Sequence, residues 1–471
     1  MNVILTSLSA LAHDPLAEDK KKSSRGTVAE NDYLYPLGLS YIQSFLESKN
    51  HDVKYLDLLL VRFDKSKEIL TNQINSFHPD VIGFSMLTDN HVTTYKMIEY
   101  IHETYPEIKI VVGGIHATIM YEQLIKKYPY IIVVIGDGEI TFGEILEDRP
   151  LNSIKGIVFY SDGKIIKTEN RELCDLDNLP FPDHGNLERT RVNIITSRGC
   201  PFSCSFCVLN PNSRRIQRMR SVKNVVDEIE IVAKKYQNLK RIYFLDDAFL
   251  TNNNRAIEIC NEIIKRGLNY IEFQCQARFK PFHKEIIPYL ENANFIALFF
   301  GLETANENML KACHKSFKKQ DVIDTITLLK ESKIKVTTFL IVGLPGETKE
   351  TILETARFIK KLQKIKYIMY YDFNPAILMV FPGTEIYDTM KATGKITDDY
   401  WLTNNPSLLY TVEHPLEELI HFKKELTNRI AFMPPTLTKL YYQKSLLIPI
   451  FKYAIKYYYE QPLTLFKTIF R

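Results

Sequence analysis

Long apolar runs are missing from this 471-residue chain. No stretch of about 18 apolar residues occurs, so no membrane-spanning helix is expected. The opening "MNVILTSLSALAHDPLAEDKKK" lacks a basic start, an apolar run and a small-residue cleavage site, and reads as no signal peptide. An excess of one charge is missing too. Sixty Lys and Arg stand against 56 Asp and Glu, a net charge of +4, too small to point to nucleic acid as a partner. Cysteine is sparse, and seven of them, unevenly spread, argue against a secreted disulfide framework. The cytosol is therefore the expected compartment. No repeat with a period of roughly 20–50 residues and no low-complexity tract is visible. What remains is ordinary globular material, 45% apolar and 25% charged, long enough for two or three domains with cores of their own.

Residues 1–147 alternate strand and helix. "NVILTSL", "DVKYLDLL", "DVIGFSML", "IKIVVGG" and "YIIVVIGDGE" are β-rich apolar runs separated by helix-length segments. In "PLGLSYIQSFLESKNH", Leu37, Tyr41, Phe45 and Leu46 fall on one helical face. This pattern predicts an α/β fold: a doubly wound parallel sheet that binds ligands beyond the carboxyl ends of its strands. Residues 148–190 read as a hairpin turning at Ser161-Asp162-Gly163, then a linker holding Pro180 and Pro182. Residues 191–390 alternate again, with strands expected in "VNIITS", "RIYFLDD", "IEFQCQAR", "FIALFFGLE", "KVTTFLIVG" and "YIMYYDFNPA" and helices such as Val222 to Lys235 and Asp321 to Glu331. Six such units are too few for a closed eight-fold barrel, so a partial (β/α)6 barrel is expected, with its chemistry at the C-terminal strand ends. Residues 391–471 read as mostly helical and rich in Tyr and Lys.

The first barrel strand runs directly into "SRGCPFSCSFCVLN", which places Cys200, Cys204 and Cys207 within eight positions. Zinc would normally want a fourth ligand in a second pair, and Cys174, Cys260, Cys275 and Cys313 are scattered singly. Three thiolates on one short loop suit a [4Fe–4S] cluster with one iron left open to a ligand. Zinc and plain core cysteines are the alternatives.

"CPFSCSFC", with the aromatic Phe206 before its third cysteine, resembles the signature of radical S-adenosylmethionine (SAM) enzymes. The resemblance implies that SAM chelates the open iron, is cleaved to a 5′-deoxyadenosyl radical, and that the radical takes hydrogen from a substrate. It implies an external electron donor such as flavodoxin or ferredoxin, and a partial barrel. Weaker matches fall at later strand ends. "FLDDAF" offers Asp246 and Asp247 to the SAM amino group, against a helix cap or solvated pair. "CQAR" offers Arg278 to its carboxylate, against an ordinary ion pair. "FFGLET" offers Glu303 near the ribose or carboxylate, against a salt-bridged structural residue. "FLIVGLPGET" offers Gly343 and Gly346 to adenine, against a plain turn.

A doubly wound domain ahead of such a barrel resembles the cobalamin-binding radical SAM class, over residues 1 to about 435. "YPLGLSYIQSFLESKNHDV", "VIGFSMLT", "VVGGIHAT" and "VVIGDGEITF" resemble successive segments of a Rossmann-like cobalamin domain, in order. The resemblance implies that Ser85, Thr88, Gly113, Gly114, Gly136 and Gly138, at strand C-termini, let the macrocycle and its nucleotide tail approach the backbone. The DxHxxG motif that ligates cobalt from below is absent from "SALAHDPLAEDKKKSSRG", although His13 lies there. His91 and His116 lie near other strand ends, as cobalt ligands or as polar lining. The run Lys20, Lys21, Lys22 and Arg25 reads as a solvated face.

The tail from Leu437 to Arg471 carries six basic residues and one acid among aromatic and aliphatic residues. It reads as a helix packed on the barrel, or as an amphipathic segment that meets a membrane surface or a lipophilic substrate. The expected enzyme functionalises an unactivated carbon of a small molecule, most simply by methyl transfer. A cyclase or oxidative rearrangement enzyme of the same class is the first alternative, and a non-catalytic iron–sulfur redox sensor the second.

Overall fold

Successive residues of β1 (Asn2–Leu8) enter different cores: Val3 and Leu5 pack on one face of the sheet, Ile4 and Leu8 on the other. The same division recurs in β2 (Asp52–Leu58), β3 (Val81–Ser85), β4 (Lys109–Gly113) and β5 (Ile131–Val134). A strand that is apolar on both faces needs cover on both, and parallel strands joined by helices supply it. The computed structural model describes residues 1–9, 36–147, 149–185, 188–208, 215–369, 375–402 and 413–430.

The first sheet has the order β2-β1-β3-β4-β5, all parallel, and the chain reverses direction across it between β1 and β3. The hairpin β6 (Ile157–Ser161) and β7 (Lys164–Lys167) is not a free-standing connector. It extends this sheet antiparallel, through Val133↔Val158. The reason is its own pattern: Ile157 and Phe159 join one core while Val158 joins the other. Asp162 (φ 50°) and Gly163 (φ 77°) form its two-residue turn, both in the left-handed region that the strand twist favours.

The second sheet begins with β8 (Arg191–Ile194). A short antiparallel pair, β9 (Ser197–Arg198) with β10 (Arg218–Met219), then brackets the cysteine loop. β11 (Arg241–Phe244), β12 (Glu272–Ala277), β13 (Phe295–Glu303), β14 (Lys335–Val342) and β15 (Ile368–Met369) follow, parallel and in sequence order beside β8, and β16 (Ala376–Ile377) pairs with β14. This is the open six-strand arc expected for a partial barrel. Its outer face is covered by amphipathic helices. Val222–Lys235 is typical: the Ser221 hydroxyl accepts from the Asn224 amide at its start, Val225, Val226, Ile229 and Val232 are buried, and Lys234 and Lys235 sit in the last turn.

From 391 onward the described chain holds the short helix Asp398–Leu402 and the helix Leu416–Ile430, whose Leu419, Phe422, Leu426 and Ile430 close the barrel core. Trp401 and Tyr387 instead join the core of the first domain, beside Tyr95 and Met97. The tail from 431, the loop around His13 and the Lys20–Arg25 run lie outside the described residues. Among the described residues no helix is long and apolar enough to cross a membrane.

Candidate functional site

The cysteine loop hangs from a buried carboxylate. Asp246, two positions beyond β11, is 1% exposed and accepts from the Thr196 amide, the Thr196 hydroxyl and the Ser197 hydroxyl, each at 2.6 Å. Its oxygens are committed to the segment that launches the loop, and burial raises its pKa despite those donors. The expectation that Asp246 binds the SAM amino group is therefore corrected to an anchoring role. Asp247 is exposed at the open end of the strand. It accepts from the Gly199 backbone and lies close enough to Cys200 and Cys207 to raise their pKa values.

The three thiols converge. Cys207 is pushed up to about 12, first by desolvation and then by Cys204, Asp247 and Cys200. Cys200 is raised by desolvation, against the Phe202 amide and Arg278. Cys207 is exposed although its surroundings desolvate it, as expected on the wall of a concave site. Such thiols stay neutral until a cation takes the proton's place. Among the described residues no three His, Cys, Asp or Glu side chains come together tightly enough for a single metal ion, and a four-iron cluster holds its ligands farther apart than one ion does.

Arg278 stands against the loop itself. Its guanidinium lies 3.5 Å from the Phe202 ring centroid, Nη1 reaches the Cys204 sulfur at 3.9 Å and Nη2 the Ser316 hydroxyl at 3.3 Å. It braces the cysteines, which the expectation of a free SAM ligand did not anticipate. Glu303 ends β13 at φ 66°, in the left-handed region beside a register shift. Gly301 makes room for it, since a Cβ there would lie 2.5 Å from Oε1. Glu303 is paired with buried Lys315 at 2.8 Å, and Lys315 sits 5.3 Å over the Phe206 ring. A left-handed residue and a buried ion pair thus stand beside the cysteine loop. Nothing local in the sequence points to Lys315. Gly343 (φ 95°) donates to Glu347, and a Cβ on it would meet Leu419 of the last helix at 3.1 Å. On that side its close approach is to protein. Gly346 is likewise left-handed, at φ 82°, and donates to Glu413.

The first domain holds a cavity of about 260 Å3 at its strand ends. Ser85, Gly113, Gly114, Gly136 and Gly138 line it as expected, with Gly83, Tyr41, Ile42, Phe142, Asp137, Glu139 and Arg198. The glycines make the space: a Cβ on Gly83 would lie 2.7 Å from Phe142, and one on Gly138 2.9 Å from Ile42. A glycine-lined cavity at the strand ends is where a doubly wound domain takes its ligand. Its rim is ionic. Arg198, two residues before Cys200, donates to Glu139 at 2.6 Å and lies 3.7 Å from Asp137, which also takes Arg218.

Thr88 does not line this cavity. It is buried behind β3, its hydroxyl 3.1 Å from Nδ1 of His116. Nε2 of His116 meets the Tyr95 hydroxyl at 3.2 Å, and His91 and His116 both lie edge-on to Trp401. Neither histidine is placed to ligate a metal in the cavity. Burial, then His91, lowers the His116 pKa well below its ordinary value. A base with a depressed native pKa gives stability that is complete above its unfolded pKa of about 6.5 and is lost as pH falls below it. Stability should fall there by about 1.4 kcal/mol per pH unit. Urea unfolding at about pH 7 and about pH 5.5 should show the loss, and His116→Gln should flatten it.

Residues 194–359 match the Radical SAM superfamily and residues 26–146 the B12 binding domain. The chain thus carries a radical SAM domain and a B12 binding domain together. It is similar to an uncharacterized methyltransferase of Pyrococcus horikoshii, 29% identical over 84% of this chain and 85% of that one. It is also similar to the anaerobic magnesium-protoporphyrin IX monomethyl ester cyclase of Rubrivivax gelatinosus, 30% identical over 72% of this chain and 62% of the cyclase. Its fold is shared with the radical SAM methyltransferase TsrM from Kitasatospora setae, solved with tryptophan and a SAM analog, at TM-score 0.66, 20% identity, 83% of this chain and 76% of that one. It is shared too with the cobalamin-dependent radical enzyme OxsB, solved with aqua-cobalamin and SAM, at TM-score 0.69, 18% identity, 90% of this chain and 66% of that one. This radical SAM enzyme uses a [4Fe–4S] cluster, SAM and cobalamin, and acts with a small-molecule substrate and an electron donor. The reading as a non-catalytic sensor is set aside.

Proposed function

We propose that this radical SAM enzyme transfers a methyl group to an unactivated carbon of a small, largely apolar substrate. The observation that carries the reading is a shared wall. Arg198 leads into the cysteine loop and pairs with Asp137 and Glu139 on the rim of the glycine-lined cavity. Groups held on the two sides of that wall would lie at neighbouring strand ends. When bound, the cluster with SAM supplies hydrogen abstraction, and cobalamin a transferable methyl group.

The chain's own part is to hold, orient and exclude water. Cys200, Cys204 and Cys207 would hold the cluster. Asp247, at the open strand end, would accept from the SAM ammonium. Inside the arc, Tyr243, Phe299 and Phe339 form a run of ring contacts at 5.7 and 5.9 Å. Gln274 and Gln276 pair in register with Tyr243 and Phe299. Such a lining would pack apolar or planar surface and leave two amides for a polar group.

Anaerobic, reduced enzyme given SAM and hydroxocobalamin should form 5′-deoxyadenosine. With metabolites extracted from a deletion strain and methyl-labelled SAM, it should also form S-adenosylhomocysteine and one labelled product. 5′-Deoxyadenosine with consumed substrate and no S-adenosylhomocysteine would instead favour cyclisation or rearrangement, the reading that the cyclase relative supports. The basic, aromatic tail would present a lipophilic substrate from an anionic surface. Flotation with anionic liposomes should recover the intact chain, less so in high salt, and should not recover a truncation ending at Pro435.

A further inference from the structure

Glu139 opens the helix Glu139–Leu146 and lines the cavity, yet it is only 3% exposed. Its Oε1 accepts from Nη2 of Arg198 at 2.6 Å. Its Oε2 is buried and has no hydrogen-bond partner among the described residues. A carboxylate oxygen removed from water and left without a donor is costly, and native structures seldom retain one. Much of the surrounding lining cannot supply the donor, since Leu39, Ile42, Val134 and Phe142 are apolar. The arginine that could have done so is already held on the other oxygen.

We propose that Oε2 of Glu139 accepts a hydrogen bond from the corrinoid itself, from a peripheral carboxamide N–H or a hydroxyl of its nucleotide tail. The proposal rests on the reading that the cavity takes cobalamin. A neutral N–H or O–H donor suits a carboxylate whose charge is already paired with Arg198. The same side chain thus touches the occupant of the cavity with one oxygen and the segment leading to Cys200 with the other.

Glu139→Gln is the discriminating change. Arg198 fixes the side-chain carbonyl toward itself, so the new amide N–H2 takes the place of Oε2 and meets the ligand's donor with a donor. Glu144→Gln serves as the control, because it removes the same charge from the same helix while Glu144 pairs with Arg149 and Arg171 and does not line the cavity. The full-length chain is titrated with hydroxocobalamin and, separately, with dicyanocobinamide, which lacks the nucleotide. For Glu139→Gln the cobalamin Kd should rise about tenfold, while Glu144→Gln should stay within about threefold, both variants melting within a few degrees of wild type. Weakening of both probes assigns the donor to a peripheral amide, and weakening of cobalamin alone assigns it to the tail. An unchanged Kd for Glu139→Gln would show that water serves Oε2 and overturn the proposal. Equal weakening by both variants would overturn it too, by tracing the effect to the loss of a carboxylate from that helix. Failure of wild type to bind either probe would overturn the cobalamin reading and this proposal with it.

Discussion

Cys204→Ala should yield a protein that is colourless after anaerobic purification and forms no detectable 5′-deoxyadenosine. Iron should fall from about four per chain to well below one. Three thiols are the fewest that can hold a cluster with one iron left open, so no spare ligand compensates for a loss. Cys204 is also the thiol that Arg278 reaches, with the arginine stacked on Phe202 of the same loop. Cys313 lies nearby, its carbonyl accepting from the Ser205 amide. Its thiol is buried in the packed core rather than open at the site as Cys207 is, which makes it a poor substitute. Cys260→Ala, in the packed core far along the chain, should keep its iron and serves as the control. Full iron and sulfide in Cys204→Ala would refute the ligand assignment.

The features readable from sequence were those whose signal is local. The cysteine spacing, the glycines after each apolar run and the division of strand residues between two cores all lie within a few positions of one another. Asp246 and Asp247 show where that reading stopped short. Continuing the alternation of Ile242 and Phe244 puts Asp246 on the side packed by helices and Asp247 on the open side, a parity the strand itself carries. Glu139 was equally within reach, directly after Gly138, but its partner Arg198 is 59 positions away. Lys315 could not have been read, because its role depends on the left-handed turn of Glu303 and on the ring of Phe206. Gly343 is only partly legible for a related reason. A glycine marks a close approach without saying what approaches, and here it is Leu419.

Arg220→Met should destabilise the protein by about 3–5 kcal/mol. Arg220 is 3% exposed and Glu228 1%. The guanidinium pairs with Glu228, donates to the Ile195 carbonyl at 2.7 Å and the Asn224 side chain at 2.6 Å, and reaches the Tyr41 hydroxyl at 3.3 Å. Tyr41 comes from the helix Leu37–Ser48 of the first domain and lines the cavity. Ile195 lies five residues before Cys200. One buried cation therefore ties the wall of the cobalamin domain to the strand that leads into the cysteine loop. Removing it strands the Glu228 carboxylate with only His184, at 2.9 Å, still in place. That uncompensated charge is the main expense, since methionine fills most of the lost volume. Denaturant unfolding followed at the barrel, as a domain rather than a two-state whole, should show a lower midpoint, and cobalamin retention should fall with it. The double change Arg220→Met with Glu228→Leu should recover most of the loss, because it removes both charges and keeps the packing. If the single change is silent, the pair is solvated and the coupling through it does not exist. If the double change is no better than the single, the loss lies in the bonds to Ile195, Asn224 and Tyr41 rather than in a stranded charge.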